Sequence, residues 1–168
     1  TPDLIACGKG ISSGMPLSAV IGRAAIMDQY PPGSMTSTHT GNPVCCAAAM
    51  ASLRAILDEG MVENAARLGD ILQPGLKKIQ QRFPRQIGAA MGKGLVGSLH
   101  IVNPGTTDPD KPRATDIVRR CVEKGLLLFA PVGFGGASVK VSPPLCITED
   151  AIREGLGVLE EAVTEAVG

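Results

Sequence analysis

Along this chain, short apolar runs cut off by glycine or proline alternate with longer stretches that keep helical spacing. Residues 4–7 run straight into Gly8, residues 17–21 are closed by Gly22, and residues 139–141 stop just before Pro143 and Pro144. Such alternation of strand-like and helix-like segments predicts an α/β chain. The breakers are frequent: 21 glycines and 13 prolines make up about a fifth of the 168 residues. That exceeds the average share of roughly 12 % but stays below the roughly 25–30 % of low-complexity sequence. Hydrophobic residues reach 44 %, enough for a core. Its rings are few, however: Tyr30, Phe83, Phe129 and Phe134 are the only aromatics, so the core must be aliphatic.

Charge and cysteine usage remove several classes of function. Sixteen Lys+Arg balance 16 Asp+Glu, which argues against a nucleic-acid partner, since such proteins carry a basic face. No apolar stretch approaches the ~20 residues that span a bilayer, and no basic segment followed by an apolar core opens the chain. Cys7, Cys45, Cys46, Cys121 and Cys146 are odd in number and scattered; they form neither a disulfide framework nor a metal-ligand spacing. With His39 and His100 the only histidines, a dedicated metal site is not expected. A reduced, cytoplasmic setting is.

The element pattern can be read in order. Strands are expected at 4–7, buried, and at 17–21, with a helical turn over 23–28. Asn42 is a good helix cap and Pro43 suits the first helical position, so a helix should begin there and stop at Gly60. A second helix is expected over 62–83, kinked or split at Pro74. Further strands are expected at 95–102, at 126–130 (buried) and at 139–141, with a helix over 114–124. The last helix should start at the cap Thr148, with Glu149 and Asp150 in its first turn and Ile152, Leu156, Leu159 and Val163 on its apolar stripe. The pattern changes near Phe83 and Pro84, which makes that point a candidate domain boundary.

The segment Gly8-Lys9-Gly10-Ile11-Ser12-Ser13-Gly14 is the one most suited to chemistry. A dinucleotide fingerprint requires a helix to start at the glycines and hold pyrophosphate on its free N–H groups; here Met15-Pro16 and a second strand follow. A phosphate loop requires Ser or Thr after the lysine, and Gly10 stands there. What remains open is a solvated loop lysine or a lysine acting as a covalent catalyst. An amine between two glycines can be approached closely by a planar ligand, and desolvation would free it for Schiff-base chemistry.

The wider pattern bears on that choice. Pro2-Asp3-Leu4-Ile5-Ala6-Cys7-Gly8-Lys9-Gly10-Ile11-Ser12-Ser13-Gly14-Met15-Pro16-Leu17-Ser18-Ala19-Val20 resembles the cofactor-lysine segment of class III pyridoxal-phosphate aminotransferases. Ser37-Thr38-His39-Thr40-Gly41-Asn42-Pro43, followed by an alanine-rich helix, is similar to that family's next motif. Gly92-Lys93-Gly94-Leu95 and Pro143-Pro144-Leu145-Cys146-Ile147-Thr148 match two more landmarks in the correct order. Among members, the chain is most similar to 4-aminobutyrate aminotransferases, then to dialkylglycine decarboxylases.

That resemblance implies a fold and a set of roles. Residues 1–83 would be the end of the large cofactor domain of fold type I with its connecting helices, and 84–168 the small C-terminal α/β domain. Lys9 would form the Schiff base with pyridoxal 5'-phosphate and then move the substrate proton. Thr38 would reach the cofactor phosphate of the neighbouring subunit, implying a homodimer with shared active sites. Gly41, Asn42 and Pro43 read as structural, and His39 as a solvated loop side chain. At Lys140 the chain departs from the family, which usually carries a carboxylate-binding arginine there; lysine offers a point charge where arginine offers a fork. Lys93 also replaces an arginine, within a turn read as structural.

The family's phosphate-binding turn, its stacking aromatic ring and its pyridinium-pairing aspartate lie upstream of the lysine, and nothing here fills those positions. Asp3 belongs to the strand entry. The expectation is therefore an enzyme that moves an amino group from a 4-aminobutyrate-like ω-amino acid to a 2-oxo acid, represented by its C-terminal part and inactive in isolation. The rival expectation is a non-catalytic fragment or oligomerisation module, with bare strand edges and apolar faces.

Overall fold

A computed structural model of the protein describes residues 1–34 and 36–168. The chain divides into two compact units, Thr1–Met61 and Val62–Gly168.

The first unit holds two short antiparallel strands, β1 (Leu4–Cys7) and β2 (Ala19–Gly22). One turn of helix follows, α1 (Ala24–Met27), and then α2 (Pro43–Asp58). Asn42 caps α2 as its sequence position predicts: its Oδ1 accepts from the backbone N–H groups of Val44 (3.0 Å) and Cys45 (3.3 Å). Gly60 takes the left-handed conformation just after the helix, with φ 59°. The expectation that 4–7 is a buried strand is corrected. Leu4 and Ile5, like Val20 and Ile21 on the paired strand, are exposed, because a two-stranded ribbon has no further layer within this unit to cover them.

The second unit is built on a three-stranded antiparallel sheet in the order β3 (Ile87–Lys93), β4 (Val96–Ile101), β5 (Ser138–Val141). One face packs on α3 (Met61–Arg82, whose first residue belongs to the other unit), α4 (Lys111–Glu123) and α5 (Glu149–Val167). Side chains alternate across a strand. Leu99 and Ile101 of β4 and Val139 of β5 therefore point into one core with Leu68, Leu72, Leu76 and Ile79 of α3, Ile117 and Cys121 of α4, and Ile152, Leu159 and Val163 of α5. Thr148 caps α5 by accepting from the Ala151 N–H.

Three expectations change here. Pro74 does not split the helix over 62–83; α3 runs through it. Pro74 is exposed, so water can satisfy the carbonyl that loses its partner. The stripe Leu68, Leu72, Leu76 and Ile79 is buried on both sides of it, which outweighs the roughly 3 kcal/mol an internal proline costs. Residues 126–130 are not a buried strand. Leu126 and Leu128 touch the core, but Leu127 is 81 % and Phe129 77 % exposed, and no ladder partner lies beside them among the described residues. Finally, β3 was not anticipated; its sequence, Ile-Gly-Ala-Ala-Met-Gly-Lys, is poor in the β-branched and aromatic residues that mark strands.

Candidate active site

Lys9 stands where β1 ends. Gly8 is still extended, and a 3₁₀ turn over Lys9–Ser12 begins at once. The turn closes through Ile11 N–H to the Gly8 carbonyl (3.2 Å) and Ser13 N–H to the Gly10 carbonyl (3.3 Å). Ser12 is buried and its hydroxyl donates to the Met15 carbonyl, while Ser13 and Ser52 pair through their hydroxyls at 2.8 Å and tie the turn to α2. These bonds hold Lys9 at φ 50°, a left-handed conformation that costs a non-glycine residue roughly 1–2 kcal/mol. The surroundings are open: a Cβ placed on Gly8 or Gly10 would meet nothing within 4 Å. The Lys9 side chain is exposed and makes no hydrogen bond or ion pair among the described residues. The burial that would strip water from its amine is therefore not supplied within this unit.

The loop before α2 is organised by its own hydroxyls. Thr40 Oγ1 accepts from the Ser37 N–H at 2.9 Å and lies 3.1 Å from the Ser37 hydroxyl. Thr38, at the tip of this turn, is exposed and free of such bonds among the described residues. Beside it lies a cleft of about 980 Å³, lined by Leu17, Tyr30, Thr36, Ser37, His39 and Thr40 among others. Lys9 and Thr38 do not line that cleft, so the structure does not bring the two predicted cofactor residues into one cavity. His39 does line it, which its sequence setting gave no reason to expect.

Lys140 lies in the second unit. It sits on β5 between the buried Val139 and the half-buried Val141, pairs in register with Ser98, and is exposed on the sheet face opposite the helices. Lys93 ends β3, where Gln73 of α3 donates to the carbonyls of Gly94 (2.8 Å) and Val96 (3.1 Å) and fixes the turn.

The displaced proton affinities of this unit lie elsewhere, between α4 and α5. Hydrogen bonds from Arg120 and Arg119 hold the Asp116 carboxyl below its usual range. Lys124 and Arg120 do the same to Glu165, and Glu161 and Glu165 raise Lys124. Burial pushes the Cys121 thiol up to about 11. This network fastens two helices and touches none of the predicted site residues. No helix among the described residues is long and apolar enough to cross a membrane.

Comparison with known proteins gives these positions a family. The family model for class-III aminotransferases matches residues 1–163. The Bacillus subtilis (strain 168) protein named "Probable 4-aminobutyrate aminotransferase" is 38 % identical over 160 residues, covering 95 % of this chain and 36 % of that protein. The alanine/serine racemase of Pyrococcus horikoshii is 39 % identical, covering 99 % of this chain and 34 % of its own. Among solved structures, the acetylornithine aminotransferase of Elizabethkingia anophelis superposes with a TM-score of 0.84 at 34 % identity, over 98 % of this chain and 41 % of that one. The chain therefore belongs to the class III aminotransferase family, and it spans about a third of the length of the curated relatives it matches.

The fold is that of pyridoxal-phosphate-dependent aminotransferases, and the family's cofactor is pyridoxal 5'-phosphate. The local geometry fits one part of what that cofactor requires. Lys9 presents an amine without a partner among the described residues, at a strand end and with open space over both flanking glycines for a planar ring.

Proposed function

We propose that this chain carries the anchoring lysine and C-terminal part of an aminotransferase that moves an amino group from a 4-aminobutyrate-like ω-amino acid to a 2-oxo acid. The observation that carries the reading is Lys9 itself: exposed, unpaired among the described residues, and held at φ 50° between two open glycines. Bound pyridoxal 5'-phosphate supplies an electron sink that makes a proton on the substrate carbon removable. Lys9 Nζ would hold the cofactor and, as a free amine, would serve as the general base for that proton and then as the general acid that delivers it to a position other than the carbon it left.

Thr38 and the N–H groups of its loop that have no partner among the described residues suit the cofactor phosphate of the neighbouring subunit, which makes the enzyme a homodimer with shared sites. Lys140 holds the substrate carboxylate as a point charge. Residues 1–83 serve as the end of the large cofactor domain and 84–168 as the small domain of a cytoplasmic enzyme. The 168-residue polypeptide alone does not turn over, since Lys9 is open to water and Leu4, Ile5, Val20 and Ile21 are uncovered.

The test is a coupled transamination assay of the holoenzyme with 4-aminobutyrate and 2-oxoglutarate. Activity that disappears in Lys9→Ala supports the reading; undiminished activity in that variant refutes it. The similarity to an alanine/serine racemase favours a second reading in which the proton returns to the carbon it left. Loss of optical rotation from L-alanine, without consumption of a 2-oxo acid, distinguishes it.

A further inference from the structure

Three glycines, at positions 8, 10 and 14, surround Lys9, and a Cβ at any of them would meet nothing within 4 Å. Such backbone is free to take many conformations, so crowding at these positions does not force Lys9 into the left-handed region. Yet both ends of the turn stand there, Lys9 at φ 50° and Ser13 at φ 51°. Two residues other than glycine persist in that region only where further contacts over-determine them.

Most of the bonds that close the turn are internal to it. The Ile11 N–H donates to the Gly8 carbonyl, the Ser13 N–H to that of Gly10, and the Met15 N–H to that of Ser12 (3.3 Å); the Ser12 hydroxyl donates to the Met15 carbonyl. Internal bonds shape a loop but do not fix where it stands. Among the described residues, one side-chain hydrogen bond leaves the turn: the hydroxyls of Ser13 and Ser52, 39 positions apart in the chain, share it at 2.8 Å. Ser52 is half-buried on α2, a helix capped by Asn42 at one end and followed by left-handed Gly60 at the other. A side chain on such a helix is a firmer reference point than one on a loop.

We infer that Ser52, acting through Ser13, is a positioning residue for Lys9: the hydroxyl pair registers the 3₁₀ turn against α2 and so fixes where the lysine amine stands. The inference rests on the reading that Lys9 anchors the cofactor and moves the substrate proton. Without the pair, the glycine-flanked turn samples other placements, and the amine occupies the competent one for a smaller fraction of the time. Apparent affinity for the cofactor falls by that fraction. The rate of a proton transfer that needs close approach falls with it, while the substrate's own contacts are untouched.

The test compares the holoenzyme with Ser52→Ala, Ser13→Ala and the two combined. Alanine is a better helix former than serine and removes only a hydroxyl, so Ser52→Ala is expected to fold. The Kd of pyridoxal 5'-phosphate, titrated back into the cofactor-free enzyme and followed by absorbance, should rise about two- to tenfold in each single variant, the range of one hydrogen bond. The double variant should bind no more weakly than the weaker single one, because both changes break the same bond. The kcat should fall by a similar factor, with the KM of the amino donor held within about twofold. Losses that add in the double variant, a loss carried by KM alone, or a Kd and kcat unchanged in Ser52→Ala overturn the inference. If borohydride reduction still places the pyridoxyl label on Lys9, the anchor reading stands without it. A label on other lysines with Lys9 untouched overturns both.

Discussion

Helix α3 approaches the β3–β4 turn so closely that one methyl group should be felt, and a matched control lies on α5. A Cβ added at Gly69 would stand 2.5 Å from the Gly94 Cα and 3.0 and 3.1 Å from that residue's carbonyl carbon and nitrogen. All three are backbone atoms of a turn that Gln73 already pins, so no side chain can swing aside. At Gly157, exposed on α5, a Cβ would meet nothing within 4 Å.

Both changes to alanine gain the same helix propensity, roughly 0.8–1 kcal/mol. Gly69→Ala also bears an overpacking cost of about 1–3 kcal/mol. The propensity gain cancels in the comparison, so Gly69→Ala should be less stable than Gly157→Ala by that overpacking cost alone. With a slope of about 2 kcal/mol per molar urea, the two midpoints should differ by roughly 0.5–1.5 M. Urea unfolding followed by far-ultraviolet circular dichroism measures this directly. Gly69→Ala matching or exceeding Gly157→Ala in midpoint, at equal slope, would refute the close approach of α3 to the turn.

Other outcomes follow from the ion network and the thiols. Asp116 and Glu165 have lowered proton affinities in the fold, so the stability they contribute is present above the unfolded carboxylate range of about 4 and lost as pH falls through the lower folded values. Melting temperatures of the unmodified protein and Asp116→Asn should therefore differ at neutral pH and converge in strong acid; a gap unchanged at low pH contradicts the network. Cys121 is buried with its thiol pushed up to about 11, and Cys45 is also buried, whereas Cys146 is exposed. A thiol reagent near neutral pH should modify Cys146 in the native protein and reach Cys121 and Cys45 only after denaturation. Native labelling of Cys121 would contradict its place in the core.

Much of the fold was legible where a residue's side chain decides its own local structure. Asn42 and Thr148 mark helix starts because their oxygens can satisfy free N–H groups, and both do so. The stripe Ile152, Leu159 and Val163 is spaced for one helix face and is buried. The solvent exposure of Lys140 is what strand alternation gives beside buried Val139. Elsewhere the outcome depends on partners far away in sequence. The glycines and alanines of β3 form a strand because β4 pairs with them, Pro74 stays in a helix because the core holds both of its flanks, and Leu127 and Phe129 stay exposed because no strand lies beside them.

The candidate site divides in the same way. Its lysine was visible in the Gly8-Lys9-Gly10 pattern, and the cap at Asn42 in the loop that follows. The left-handed φ of Lys9 and its tie to α2 through Ser13 and Ser52 rest on backbone geometry and on contacts distant in sequence. No residue type announces these.

We propose Lys9 as the cofactor's covalent anchor. Its most direct test is to reduce the holoenzyme with borohydride in the presence of pyridoxal 5'-phosphate and map the pyridoxyl group by peptide mass spectrometry. The label is expected on Lys9, with the other lysines essentially unmodified. A label on other lysines with Lys9 untouched would contradict it.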